Sequence, residues 1–367
     1  MLKSLPVLMY HYVSAWPNAI AVDPEIFESH LRAMSENGFH GVGLADAAAY
    51  FLEGRSLPEK SVLITFDDGF LDNFVYAYPL LKKYGHKGII FAVTGKTADQ
   101  DCVRPTLDDV WSGFVNADEL PQVNHPYHHT AQGFRIRRDL FVSWEEAKVM
   151  EASGVIRVEA HSHRHRSVFT GPRFETLFKP GDRKRTFDRI EAEILFGLPV
   201  FEHGPALARK AFFPSDEIYD LVREAVPQDF DGAREFFERP RAGADLEKRI
   251  LNIPREKRGR IETDDEFKER VRDELARCRD AQASHLGRKP LSLSWPWGEY
   301  CAQGLEIARE LGFSLFFTTT MGPNPPGKNP AHIHRFKAKN KKPSWLLSRL
   351  GIYSRPLVAK VYGRLHA

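Results

Sequence analysis

Two adjacent carboxylates, Asp67 and Asp68, end the apolar run Val62-Leu63-Ile64-Thr65-Phe66, and Gly69 follows them. Further along, Ile156, Val158 and Ala160 alternate with polar neighbours and lead into His161-Ser162-His163-Arg164-His165. Two imidazoles and one carboxylate are the donors a catalytic divalent metal takes, with positions left open for water and substrate. Two neighbouring carboxylates would push one pKa up, and a bound cation would relieve that repulsion. Taken singly, the first segment also reads as a solvated Asp-Asp-Gly turn and the second as a histidine-rich surface turn. The two segments together are more specific than either.

Such a set needs elements that bring it to one place. Val62 to Phe66 has the composition of a strand buried on both faces, as in a parallel sheet. Successive strand side chains point to opposite faces, so Asp67 and Asp68 share a site only if the strand ends at or just before them. His161 and His165 are four apart, which puts both on one face if the chain turns helical there, with His163 pointing away. Pro6 to Tyr12 reads as an opening strand whose His11 falls on the face of Asp67 if the two strands run parallel. Asp23-Pro24 opens a helix that Gly38 closes, and a helix from Leu71 to Tyr84 precedes the strand Ile89 to Val93. Ser143-Trp144-Glu145-Glu146 has capping-box spacing and opens the helix before the histidine strand. Strands alternating with helices predict an α/β protein with a parallel sheet. Residues 166–260 change character and read as a mostly helical insertion beside the site, with a linker-like break at Arg239-Pro240-Arg241-Ala242-Gly243. A long charged helix from Glu262 to Leu286 and strands at Leu291–Trp295 and Leu315–Thr319 resume the pattern.

With these segments in view, the chain resembles the polysaccharide deacetylase family, the NodB-homology carbohydrate esterases. Thr65-Phe66-Asp67-Asp68-Gly69 is similar to its first motif and His161-Ser162-His163-Arg164-His165 to its second. Leu8-Met9-Tyr10-His11 and Trp295-Pro296-Trp297-Gly298-Glu299-Tyr300 look like the opening strand and third motif of its poly-N-acetylglucosamine deacetylase-like branch. The resemblance spans about residues 5–165 and 262–338 and implies an irregular (β/α) barrel of about seven strands. It implies that Asp68, His161 and His165 hold a divalent metal, zinc first, with cobalt, nickel or manganese also compatible. It makes Asp67 the general base. His332 or His334, where the family often has its last motif, becomes the acid candidate, and His334 is carried forward. His11 and Trp297 are candidate substrate contacts; His11 also reads as a capped strand-end histidine, and one of Trp295 and Trp297 as core. Many family members have an arginine two residues before the third-motif proline to orient the base, and here that position is Ser294. The implied reaction removes an N-acetyl group from an acetamido sugar of a cell-envelope polysaccharide or a lipid-linked glycan precursor. Deformylation or another amide hydrolysis would use the same residues, and a catalytically silent glycan-binding module is a third reading.

At 367 residues the chain has room for one large α/β domain over 1–340 with an insertion. Cys102, Cys278 and Cys301 form no even-numbered framework, which favours a reducing compartment. The start of the chain does not read as a signal peptide, and no apolar run has transmembrane length. The overall charge is +3, yet no Asp or Glu follows Glu310 while ten Lys or Arg lie between Lys328 and Arg364, leaving residues 1–310 at −7. That asymmetry argues against nucleic acid as a partner. Residues 341–367 read as a basic amphipathic tail of two short pieces broken at Pro356, suited to the inner, cytoplasmic face of a membrane.

Overall fold

Val7–Tyr10, Ser61–Phe66 and Gly88–Ala92 are buried along their whole length, which requires a layer of structure on both faces. The computed structural model, which describes residues 1–125, 127–130, 133–181 and 190–366, supplies it as a curled parallel sheet. Its strands run in the spatial order Leu315–Phe317, Ser292–Ser294, Ile156–Ala160, Gly88–Ala92, Ser61–Phe66, Val7–Tyr10 and Phe336–Lys337. All neighbours are parallel, and His40–Val42 lies alongside the first half of Ser61–Phe66. The two edges meet through the segment entering the last strand. Phe317 bridges Ile333, the Thr318 amide donates to the Ile333 carbonyl, and the Arg335 amide donates to Thr320. The sheet is the irregular barrel that the motifs implied.

Alternation along each strand sorts the side chains into two cores. Val7, Leu63, Ile89, Phe91, Leu315, Phe317 and Ile333 fill the barrel interior. Leu8, Ile64, Phe66, Ile90 and Val158 face outward onto Phe27, Leu31 and Met34 of the helix Pro24–Glu36 and onto Met150 of Trp144–Ala152. The predicted starts hold: the Asp23 side chain accepts from the Glu25 amide, and Ser143 and Glu146 cap each other reciprocally. Thr263 and Glu266 do the same for the long helix Asp264–Leu286. After the Asp-Asp-Gly turn the chain makes a π-helical turn, Asn73–Ala77, before the α-helix Tyr78–Lys83.

The insertion contains the helices Asp216–Ala225, Phe230–Glu238 and Ala242–Asn252 around its own apolar core, which includes Phe169, Phe201, Ile218, Val222, Leu246 and Ile250. It also carries an antiparallel pair, Ser167–Leu177 with Pro199–Pro205, that the helical reading had not included. That pair is held by aromatic and β-branched side chains such as Phe169, Phe174, Val200 and Phe201. Residues 182–189 of this region lie outside the described residues. The tail forms two helices separated before Pro356, Pro343–Tyr353 and Pro356–His366. In the first, Leu346, Leu350 and Tyr353 are buried in the main core, so its apolar face packs on the barrel.

Candidate active site

Asp67 and Asp68 reach one site because the strand stops between them. The Asp67 amide still donates to the Tyr10 carbonyl in the manner of the ladder, and the next two residues leave it. Asp68 has φ +72° and Gly69 φ +74°, two consecutive left-handed residues that swing the Asp68 carboxylate into the barrel mouth. A left-handed non-glycine costs on the order of 1–3 kcal/mol, so the surrounding packing imposes this turn. At Gly69 a side chain is excluded: a Cβ would lie 3.1 Å from Ala92 Cα.

The histidines converge by a similar device. The chain does not become helical after Ala160; Ser162 at φ +66° and His165 at φ +54° make a tight turn, closed by the His165 amide donating to Ser162 Oγ at 2.9 Å. His161 Nδ1 lies 2.7 Å from the Ser294 carbonyl, an acceptor only, so it carries the proton and leaves the Nε2 lone pair toward the mouth. His161 Nε2 and His165 Nε2 are each 3.5 Å from Asp68 Oδ1. The donor atoms of the three residues all lie within 4.8 Å of one another, a fit for one cation. Burial holds His165 down to about 3, which keeps it neutral, as a ligand must be. Burial would raise the Asp68 carboxyl, but it sits among three imidazoles and the Lys96 ammonium, and these polar and cationic surroundings hold it below the ordinary value. His163 turns away, as its position predicted, onto Thr94 Oγ1 at 3.0 Å.

Asp67 stands outside this trio and is 3% exposed. Arg335, itself fully buried, grips it with a two-pronged pair: Nη1 to Oδ1 at 2.6 Å and Nη2 to Oδ2 at 2.7 Å. The guanidinium is fixed in turn by Thr318 O at 2.9 Å and Ser294 Oγ at 2.8 Å, with Thr65 Oγ1 at 3.3 Å. Burial favours the neutral acid here, yet the charge and hydrogen bonds of Arg335 overcome it and hold Asp67 well below the usual carboxylate range. The guanidinium missing at Ser294 is therefore supplied by Arg335, from the segment that enters the strand closing the barrel. Arg335 was not among the residues singled out in the sequence. Its signal was an arginine two residues beyond Ile333 in a closing strand, and alternation sends both inward.

The mouth opens into a cleft of about 440 Å³ lined by Asp67, Asp68, His161 and His165 together with His11, Trp297 and Lys96. His11 Nδ1 is buried and has no hydrogen-bond partner among the described residues. Burial lowers the His11 pKa, against the opposing pull of Asp68 and Asp67. Trp297 is 43% exposed, at φ +55°, with its ring 4.3 Å from that of His165, so it forms a wall of the cleft. Trp295 is the core member of the pair, fully buried and stacked with Tyr300 and Phe316. His334 does not line the cleft. Arg335 points into the barrel and His334 outward, with its Nδ1 3.2 Å from the Pro323 carbonyl. His332 lies beside it, against the Tyr300 hydroxyl at 3.1 Å. A second depression, lined by Gly43, Lys87, Gly88 and Arg288, lies at the N-terminal ends of the strands, away from these groups.

Comparison with known proteins gives the same direction. The family model described as polysaccharide deacetylase matches residues 54–195, so the resemblance carried by the first two motifs is borne out. YxkH of Bacillus subtilis, assigned by name to the polysaccharide deacetylases, is 43% identical over 89 residues, 24% of this chain and 32% of its own. The poly-beta-1,6-N-acetyl-D-glucosamine N-deacetylase of Escherichia coli is 20% identical over 289 residues, 79% of this chain and 29% of its own. The chain thus spans about a third of the length of the curated relatives it matches. Among solved structures, the deacetylase domain of BpsB from Bordetella bronchiseptica superposes with a TM-score of 0.56 at 18% identity, covering 92% of this chain and 96% of that one. It shares the fold.

Proposed function

We propose that this chain, whose residues 54–195 match the polysaccharide deacetylases, is a metal-dependent hydrolase that removes the N-acetyl group from an acetamido sugar. The observation that carries the reading is a buried carboxylate, Asp67, kept ionised by Arg335 at the edge of the Asp68, His161 and His165 set. Those three would hold a divalent cation, zinc first among those compatible, which supplies Lewis-acid polarisation of the amide carbonyl and lowers the pKa of water. Asp67 accepts the proton of the attacking water as oxygen adds to the acetamide carbon. Arg335 keeps Asp67 ionised and fixes both its oxygens. When the C–N bond breaks, the sugar nitrogen must gain a proton. His11 reaches the cleft and His334 does not, so the acid role carried by His334 in the sequence passes here to His11, which relays to the nitrogen the proton that Asp67 took from the water. Trp297 walls the acetyl pocket or stacks on a sugar face. The products are acetate and a free amine.

The substrate in this reading is an acetamido sugar of a cell-envelope glycan or its lipid-linked precursor. Release of acetate from N-acetylglucosamine oligomers and lipid-linked amino sugars by purified protein tests it, with formate measured in parallel. Formate without acetate would replace it by the deformylase reading. No release of either from any of them, with Asp68, His161 and His165 metal-loaded, would leave a glycan-binding module.

We also propose that the chain works at the inner face of a membrane. The helix Pro356–His366 turns Ala359 and Gly363 inward and leaves Leu357, Val361 and Leu365, four residues apart, 81%, 60% and 74% exposed. Lys360 and Arg364 are exposed beside that stripe and the helix has no acidic residue, a pattern suited to an anionic lipid surface. Gly363 packs so tightly on the Met321 backbone that a Cβ there would lie 2.6 Å from its carbonyl, and Thr319, two residues earlier, lines the cleft. The lipid-facing stripe and the mouth would then share one rim.

A further inference from the structure

Beside the cleft lies a small recess of about 60 Å³ lined by Gly95, Lys96, Ile136, Arg138, Arg164 and Arg166. Lys96 and Ile136 also line the cleft, so the two spaces adjoin. Among the described residues, four of the six that line it are cationic and none is acidic. Arg164 is neutralised from behind by Glu191 at 2.6 Å and Glu274 at 2.7 Å. Arg138 and Arg166 have no carboxylate partner among the described residues, and Arg166 is only partly exposed. Arg138 and Arg166 thus bring positive charge without a local carboxylate to the recess, and a walled recess focuses their field on an anion. The cluster does not serve the proposed hydrolysis, whose base already has its own guanidinium in Arg335.

We infer that Lys96, Arg138 and Arg166 form an anion subsite, and that the amino sugar this protein acts on carries a phosphate or carboxylate next to the residue that loses its acyl group. A guanidinium recognises either group through two parallel hydrogen bonds, and Lys96 stands between that contact and the reacting centre. The anion fixes which sugar of the substrate enters the mouth. The inference rests on the deacetylase reading for its substrate, although the subsite itself can be tested without turnover.

The test compares kcat/KM for N-acetylglucosamine 1-phosphate, for a disaccharide of N-acetylglucosamine and glucuronic acid, and for neutral chitobiose, in the wild-type holoenzyme and in Arg138→Gln/Arg166→Gln. The expected result is that the anionic-to-neutral ratio falls at least about tenfold in the variant and that raised salt lowers the wild-type ratio. The anionic substrate that shows the drop identifies phosphate or carboxylate as the group recognised. Calorimetric binding of glucosamine 1-phosphate and of glucuronic acid provides a readout free of chemistry, and Arg138→Glu, at an exposed position, provides a second variant that preserves the fold. An unchanged ratio in an active enzyme would overturn the subsite and leave the deacetylase reading standing. Arginine-dependent binding of either anion without turnover on any substrate would sustain the subsite and remove the deacetylase reading. Neither turnover nor arginine-dependent binding would remove both.

Discussion

Replacing Arg335 by Met removes the charge while keeping an unbranched apolar side chain in a fully buried position. The guanidinium donates five hydrogen bonds, two of them to Asp67 and the others to Thr65, Thr318 and Ser294. After its loss, the partner left to the Asp67 carboxylate is the Ser294 hydroxyl at 3.4 Å, too long to hold a buried charge. Breaking a buried pair from one side costs about 3–5 kcal/mol, because the remaining charge is left uncompensated. In the wild type Asp67 is depressed, so its contribution to stability is present above the unfolded value of about 4 and is lost as pH falls through the lower folded value. In the variant, burial acts unopposed and raises Asp67, so the sign reverses: the folded state holds the proton and loses stability as pH rises above about 4. Urea denaturation at pH 5 and pH 8 should therefore show the variant weaker at pH 8, with the wild type not weakened there by Asp67. Turnover at pH 7 should fall roughly 10²–10⁴-fold, the usual worth of a general base. Arg335→Lys, which keeps the charge and loses the fork, should fall between. Asp67→Asn/Arg335→Met should recover much of the lost stability and none of the activity. If Arg335→Met kept kcat/KM within threefold of wild type, the claim that this pair sets the base would be wrong.

Asp67→Asn should retain one metal per chain and lose turnover, whereas Asp68→Asn should lose metal affinity too; elemental analysis separates them, and equal metal content with equal activity would contradict the assigned roles. Exhaustive chelation should abolish activity and added zinc should restore it, so full activity in metal-free protein would end the metal reading. Asp72 is fully buried, one oxygen has no hydrogen-bond partner among the described residues, and burial raises its pKa well above normal, so it weakens the fold as pH rises from about 4. Asp72→Asn should flatten the fall in unfolding free energy between pH 4 and pH 8, and an unchanged slope would show that Asp72 is not its source. Leu357→Asp/Val361→Asp/Leu365→Asp should stop flotation with anionic vesicles while leaving acetate release from a soluble substrate unaltered; flotation as strong as wild type would clear that helix of membrane contact.

The strands that carry the chemistry were readable because each is a short apolar run stopped by a polar cluster, and the helix starts because their capping residues are specific. The exact meeting of Asp67 with Asp68, and of His161 with His165, was not readable. It depends on left-handed residues at Asp68, Ser162 and His165, types whose local preferences do not announce that conformation. Spacing alone had suggested a helical turn for the histidines. Arg335 was obscured by two more conspicuous neighbours, His332 and His334, which alternation carries to the outer side. The antiparallel pair of the insertion was missed because its aromatic residues fit a helical face as readily as a strand. The outcome for the tail could not be read from composition, since both of its helices are basic and apolar; which one packs is decided by the core that Leu346, Leu350 and Tyr353 enter.

The segment that completes the barrel also carries the partner of Asp67, which gives the protein a timetable. Asp67 and Arg335 are 268 positions apart. A growing chain has presented both aspartates and both histidines by His165, while the partner of Asp67 is still to be made. At about 5–20 residues per second, that interval lasts roughly ten to thirty seconds. Throughout it Asp67 has neither the guanidinium that fixes its two oxygens nor the later residues, Ser294 among them, that wall its pocket. Arrival of the last segment closes the wall and fixes the Asp67 carboxylate in a single event. A nascent or truncated chain therefore lacks the Asp67–Arg335 pair, which exists only in the finished barrel.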